Sequence, residues 1–196
     1  MVTTIYMIRH AESSFVFGKE RTRGLSEQGK LDAQKVVELM SDEPIDIIVS
    51  SPYTRAVQTI QGLADLKHLP VKEYEGLREK ALKGPEYNIS EQRFWEETKK
   101  SFEDQEYCMP GGESIKQAQE RAVPIIKRLL KEYEGKRIVV GTHGNIMTII
   151  MNDFDDCYGY DFWKNTSKPD IYKLIFNGDQ LTEVKRIWSY NSSGGS

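Results

Sequence analysis

The sequence predicts an α/β protein built on an open, mostly parallel sheet. Short apolar runs alternate along the chain with segments whose apolar residues recur at helical spacing, the pattern of strand–helix–strand units. The three clearest runs end in Arg9-His10, Ser50-Ser51 and Thr142-His143, and in a parallel sheet such ends face one crevice. Two further runs flank Asn177-Gly178-Asp179-Gln180, the composition of a hairpin-like turn.

Taken in order, Thr3–Ile8 is a buried strand. Ser26 is placed to cap a helix carrying Ala33, Val36, Val37 and Met40, because its hydroxyl can accept from an unpaired first-turn N–H. Asp46–Ser50 is the second strand. Pro52 is expected to open a helix with Ala56, Val57, Ile60, Leu63 and Ala64 on one face, since proline suits a first helical turn. A short extended piece spans Val71–Tyr74. Between Lys80 and Gly112 the periodicity fades into charges mixed with Tyr87, Phe94, Trp95, Phe102 and Tyr107. Helical spacing returns from Ser114 to about Tyr133, with Pro124 inside it as an expected kink or break. Arg137–Thr142 is the third strand, a helix starts near Asn145, and Ile171–Phe176 and Thr182–Trp188 pair as the hairpin.

Composition narrows the function classes. The chain of 196 residues carries a net charge of −3, against the basic excess of a nucleic-acid protein, and no apolar run approaches a membrane span of ~20 residues. The first ten residues are unlike a secretory signal. Cys108 and Cys157 stand far apart in no metal-binding spacing, so reduced thiols and a cytoplasmic location are expected. One domain is expected over residues 1–190, with a lid-like insertion at about 80–110. Residues 191–196 read as a frayed end or a remnant of expression.

Either histidine alone at a strand end would read as structural, and an arginine in a first helical turn as solvated. Together, Arg9, His10, Arg55 and His143 at successive strand ends make a site for a compact dianion such as a phosphoryl group. The arginine fork offers paired hydrogen bonds to phosphate oxygens, and a helix starting near Pro52 would add its amino-terminal dipole.

The residues around these positions resemble the histidine phosphatase superfamily, also called phosphoglycerate mutase-like. Ile5-Tyr6-Met7-Ile8-Arg9-His10-Ala11-Glu12-Ser13 is similar to its Arg-His-Gly signature, and Gly24-Leu25-Ser26-Glu27-Gln28-Gly29 to its Pro-Leu-Thr-x-x-Gly segment. Ser50 to Thr59, Gly111-Gly112-Glu113-Ser114 and Val139 to Gly144 complete five blocks in order over about 70% of the chain. The resemblance implies a three-layer α/β/α sandwich and a covalent mechanism without metal or other cofactor. It implies His10 as the phosphorylated nucleophile, and Arg9, Arg55 and His143 as the pocket holding the phosphoryl oxygens. Glu79 in Leu77-Arg78-Glu79 is the expected proton donor, with Glu73 and Glu75 as rivals. Ala11 replaces the usual glycine, a mild change if the backbone there is ordinary. Val16 stands where many members carry a phosphate-binding asparagine.

The resemblance implies phosphomonoester hydrolysis on a small phosphorylated metabolite, with Arg9, Arg55 and a His143 able to carry a proton together lowering the tendency of His10 to protonate. Lys80 to Met109 is a short connection between Glu79 and the Gly-Gly-Glu-Ser block. Such a lid admits water and favours a phosphatase over a mutase. Its aromatics could either line a substrate pocket or pack the lid down. Two other classes stay open: an idle phosphate-binding regulator, and a metal hydrolase using His10, Glu12, His143 and the acidic run Asp153–Asp156, which otherwise reads as a solvated helix end.

Overall fold

A computed structural model of the chain describes residues 1–189, so the expected tail at 191–196 lies outside the described residues. Val2–Arg9 (β1), Ile47–Ser50 (β2), Val71–Glu73 (β3) and Arg137–Thr142 (β4) form the parallel part of one sheet. Asp170–Asn177 (β5) and Gln180–Arg186 (β6) extend it antiparallel, in the order β3-β2-β4-β1-β5-β6. The hairpin is tighter than the sequence suggests. Gln180 already pairs with Asn177, and Gly178 takes the left-handed φ of +63° that the two-residue turn requires.

Alternation along the strands sends side chains to two cores. Ile5 and Met7 of β1, with Ile138 and Val140 of β4, pack under Ile115–Glu132 (α4) and Gly144–Phe154 (α5). Tyr6, Ile8 and Val139 face the opposite side, against Glu27–Met40 (α1) and Thr54–Lys67 (α2). The result is the expected three-layer α/β/α sandwich. Burial on both faces explains why these strands are continuous apolar runs rather than alternating ones. At about 1.5–3 kcal/mol per buried large aliphatic side chain, these cores outweigh local preferences, and α4 illustrates the contest. Pro124 removes one ladder bond at a cost of about 3 kcal/mol, yet the helix runs unbroken from Ile115 to Glu132. Its capping box between Ser114 and Gln117 and its buried face of Ile115, Ala118, Ala122, Ile126 and Leu129 hold it together.

Three elements depart from the sequence expectation. Helix α2 starts at Thr54 with Tyr53 as its cap, two residues beyond Pro52, so Arg55 lies in its first turn. Glu91–Glu103 (α3) is a helix where no periodicity was legible, capped by Ser90. It buries Thr98 and Ser101, and its aromatics rest on Tyr160–Lys164 (α6): Trp95 and Phe102 each lie 5.9 Å from Trp163, ring to ring. Trp95 and Phe102 thus pack the segment onto α6, with Trp95 still 42% exposed. Helix α6 itself is a five-residue turn that the sequence did not announce. No helix among the described residues is long and apolar enough to cross a membrane.

The sheet also builds the far side of the crevice. Asp170, wholly buried at the start of β5, pairs with Arg9 in the ladder. Its carboxylate accepts from Arg186 Nε and Nη2 at 2.9 and 2.8 Å, Ser167 N at 3.0 Å and Tyr172 Oη at 3.2 Å. This cluster anchors the loop 165–169. Asp170→Ala leaves Arg186 and Tyr172 without their acceptor and is expected to cost about 3 kcal/mol. A urea midpoint shifted by less than that of a typical surface substitution would refute this.

Candidate active site

The register brings the strand ends to one level. Arg9 pairs with Thr142 and Ser50 with Gly141 across β1, β4 and β2, and at 2.9 Å His10 N donates to the Thr142 carbonyl and Ser51 N to the Gly141 carbonyl. Because β3 is parallel to β2, the turn that follows it opens on the same edge.

His10 is buried, and both ring nitrogens have partners. Nδ1 lies 2.7 Å from the Ala11 carbonyl and must carry the proton to donate there. Arg55 Nε donates to His10 Nε2 at 3.2 Å, so Nε2 holds the free electron pair. Burial first, then the Arg55 charge, and more weakly Arg9 and Lys168, hold the imidazole well below its ordinary pKa. The hydrogen bond to Ala11 opposes them. Ala11 itself keeps an ordinary backbone, since His68 is the one non-glycine at positive φ among the described residues. The usual glycine is therefore not needed there.

His143 lies beneath, with its ring 5.2 Å from that of His10 and edge to face. Its Nε2 contacts Ser51 Oγ at 2.8 Å. Complete burial, then the neighbouring His10 and Arg55, push its pKa far down. A proton on His143 is thus disfavoured, and it is burial first, then the Arg55 charge and more weakly Arg9, that disfavour one on His10. Tyr53 closes this floor, its ring 5.2 Å from His143 and 5.1 Å beneath the Arg55 guanidinium.

Arg9 donates from Nη1 to Thr166 O at 3.1 Å and to Thr166 Oγ1. A Cβ added at Gly144 would lie 2.7 Å from Arg9 Cζ, so the glycine after His143 makes room for this guanidinium. Burial lowers the proton affinity of both Arg9 and Arg55, and the Glu79 charge acts on both in the opposite direction. Among the described residues, the buried polar atoms with no partner include Arg9 Nε, Thr142 Oγ1, His143 Nδ1 and Asn145 Oδ1, all at this strand edge.

Glu79 is the carboxylate the fold brings here. It accepts from Asn145 N at 3.2 Å and Ile146 N at 2.9 Å at the start of α5, and from Lys80 N at 2.9 Å, a favourable seat for an anion at a helix N-terminus. Arg121 clamps its turn, donating to the carbonyls of Gly76 and Arg78 at 2.6 and 3.0 Å while its other edge pairs with Glu113. This gives the Gly-Gly-Glu-Ser block a physical task. Of the rivals, Glu75 pairs with Arg21 at the surface and Glu73 is exposed at the end of β3.

Sequence reasoning missed Glu20, Arg23 and Lys168. Glu20 contacts Arg55 and Arg23. Lys168, on the loop before β5, is held below its ordinary pKa by partial burial and then by Arg9 and Arg23, while Glu79 pulls it up. The only sequence signal was charge in loops flanking the strand ends, which solvent exposure explains equally well. The metal alternative is not assembled. Glu12 bonds Ser26, Asp153 pairs with Lys127, and no cluster of three or more potential metal ligands occurs among the described residues.

Residues 5–187 match the Histidine phosphatase superfamily (branch 1), and the chain belongs to that family. It is 24% identical over 157 residues to an uncharacterized phosphatase, PhoE, of Bacillus subtilis, covering 78% of this chain and 77% of that one. It is 29% identical over 164 residues to a 2,3-bisphosphoglycerate-dependent phosphoglycerate mutase of Gloeobacter violaceus, covering 77% and 75%. Its fold is similar to that of mycobacterial glucosyl-3-phosphoglycerate phosphatase, with a TM-score of 0.73 at 19% identity over 95% of this chain and 97% of that one. That protein has also been solved in complex with inorganic phosphate.

The buried imidazoles carry a pH signature. A base whose folded pKa is depressed takes up its proton in the unfolded chain first, so stability falls as pH drops below about 6.5. His143→Asn removes one such group. Between pH 6.5 and 5 its unfolding free energy should fall less steeply than the parent's, by up to about 1.4 kcal/mol per pH unit. Parallel profiles from urea unfolding at several pH values would show that His143 is not held neutral.

Proposed function

We propose that the protein is a phosphatase that hydrolyses phosphomonoesters of a small phosphorylated metabolite through a phosphohistidine on His10, without a metal. The observation that carries this is the His10 geometry: a buried, neutral imidazole with its proton fixed on Nδ1 and its Nε2 pair beside the Arg55 guanidinium. That is the tautomer a nitrogen nucleophile needs. Arg9, Arg55 and His143 take the phosphoryl oxygens, where fixed charges stabilise the spread negative charge of the transition state. The phosphorus–oxygen bond to the leaving group breaks as the bond to Nε2 forms, and Glu79 protonates the departing oxygen. Water then attacks the phosphoryl group, Glu79 takes its proton, and inorganic phosphate and His10 are released. Phosphatase rather than mutase chemistry is supported by the short connection after Glu79. Only one helix, α3, lies between it and the Gly-Gly-Glu-Ser block, leaving water a route to the intermediate. The free thiols Cys108 and Cys157 fit a cytoplasmic setting.

His10→Ala should abolish turnover of p-nitrophenyl phosphate and eliminate acid-labile phosphate on the denatured protein. Equal radiolabelling of parent and variant would overturn the assignment, and an inert parent would favour the idle regulator.

Glu79→Gln tests the acid. Alkyl phosphates need a proton on the leaving oxygen and should be cleaved slowly, on the order of 10²–10⁴-fold below the parent. Nitrophenolate leaves unaided, so p-nitrophenyl phosphate should give a burst of nitrophenol followed by slow turnover. Unchanged steady-state rates on both substrates would move the role to another carboxylate.

A further inference from the structure

Arg55 is 1% exposed, yet the anion it holds belongs to the protein. Its Nη1 donates to the Glu20 carbonyl at 2.5 Å and its Nη2 to Glu20 Oε1 at 2.6 Å, while Nε is on His10. The same carboxylate accepts from Arg23 Nη2 at 3.3 Å and Nε at 3.2 Å. Glu20 thus bridges two guanidiniums, one of which, Arg55, touches His10. Its side chain is 48% exposed, on a loop that also carries the exposed Phe15 and Phe17. The carboxylate can therefore swing to solvent without opening the core. Arg23 stays behind, fixed by Ser13 through bonds of 3.0 and 2.7 Å to its carbonyl and hydroxyl.

We infer that Glu20 is a specificity-determining residue: a resident carboxylate that a substrate must displace from Arg55 and Arg23, so that dianionic phosphomonoesters are admitted and monoanions are refused. The inference rests on the phosphatase reading of the pocket. Its physical basis is an exchange. A monoanion that replaces Glu20 brings the same charge to the same two cations, and it competes with a tethered group at high effective concentration. A dianion brings one charge more, and its planar sets of oxygens can engage both forks. Displacement also frees Arg23, which becomes a further ligand of the phosphoryl group. Burial raises the Glu20 pKa, but the bonds and charges of Arg23 and Arg55 together outweigh it and keep the group ionised near neutral pH.

Titration calorimetry with inorganic phosphate and with dimethyl phosphate, at pH 8 on the full chain, tests this. The parent should bind phosphate and not dimethyl phosphate. Glu20→Gln keeps the size and loses the charge. It should bind phosphate about tenfold more tightly, acquire measurable affinity for dimethyl phosphate, and lower KM for p-nitrophenyl phosphate more than it changes kcat. Glu20→Ser should shift both affinities in the same direction, which guards against an effect of the glutamine itself. Unchanged or weaker phosphate binding in both variants would overturn the inference and make Glu20 a brace for Arg55. If the parent hydrolyses p-nitrophenyl phosphate while the variants fail to tighten, this inference alone falls. If the parent neither binds phosphate nor turns over, the phosphatase reading falls with it.

Discussion

The cleft depends on one contact, the Arg55 Nε–H donated to His10 Nε2. A cation buried against an imidazole is costly unless the imidazole stays neutral, because two adjacent charges of like sign in a low-dielectric site repel strongly. That penalty selects the tautomer, directs the free electron pair, and disfavours a proton on His10. It also requires anions nearby. Arg55 could not stay desolvated without Glu20 on its outer edge and Glu79 within range of its charge. The placement of both carboxylates follows from stabilising a cation next to a base.

The sheet makes that contact possible. His10 and Arg55 are 45 residues apart, and they meet because β1 and β2 flank β4 in matching register. The first turn of α2 then delivers Arg55 back over the strand ends. The start of α5, the other helix that opens on this edge, is occupied by Glu79 rather than left for a ligand. The anion site proposed at the base of the cleft is therefore built mainly from side-chain cations. The helix N-terminus serves to orient a carboxylate.

Much of this was legible in the sequence because it rests on short-range pattern. Strands buried on both faces are apolar runs, and Arg9, His10, Arg55 and His143 sit at fixed offsets from strand ends, so topology alone converges them. What was not legible depends on contacts between distant loops. Helix α3 buries Thr98 and Ser101 and leans on Trp163 through aromatics, so its polar sequence has no apolar period to read. The downward pull on the His143 pKa comes first from its complete burial, which no local sequence encodes. Pro124 announced a break that core packing overrides. Glu20, Arg23 and Lys168 look like ordinary loop charges until the Asp170 cluster and the Ser13 contacts fix the loops that carry them.

Charge balance links the architecture to its chemistry. Arg9, Arg23, Arg55 and Lys168 outnumber the two carboxyl groups among them, Glu20 and Glu79. In the proposed exchange a phosphomonoester dianion brings one negative charge more than the Glu20 carboxylate it displaces, whereas a monoanion brings only the same. With Glu20 turned out to water, as proposed, the cationic excess would grow by one, which would favour a phosphoryl-transfer transition state with charge spread over more oxygens. Glu20 therefore separates two demands on the same cations. In that proposal it shields them while the site stands open to solvent, and its departure would restore their full charge to an incoming phosphoryl group. A pocket stabilised by apolar burial of Arg55 alone could meet only the second demand, since nothing would offset its desolvation between turnovers.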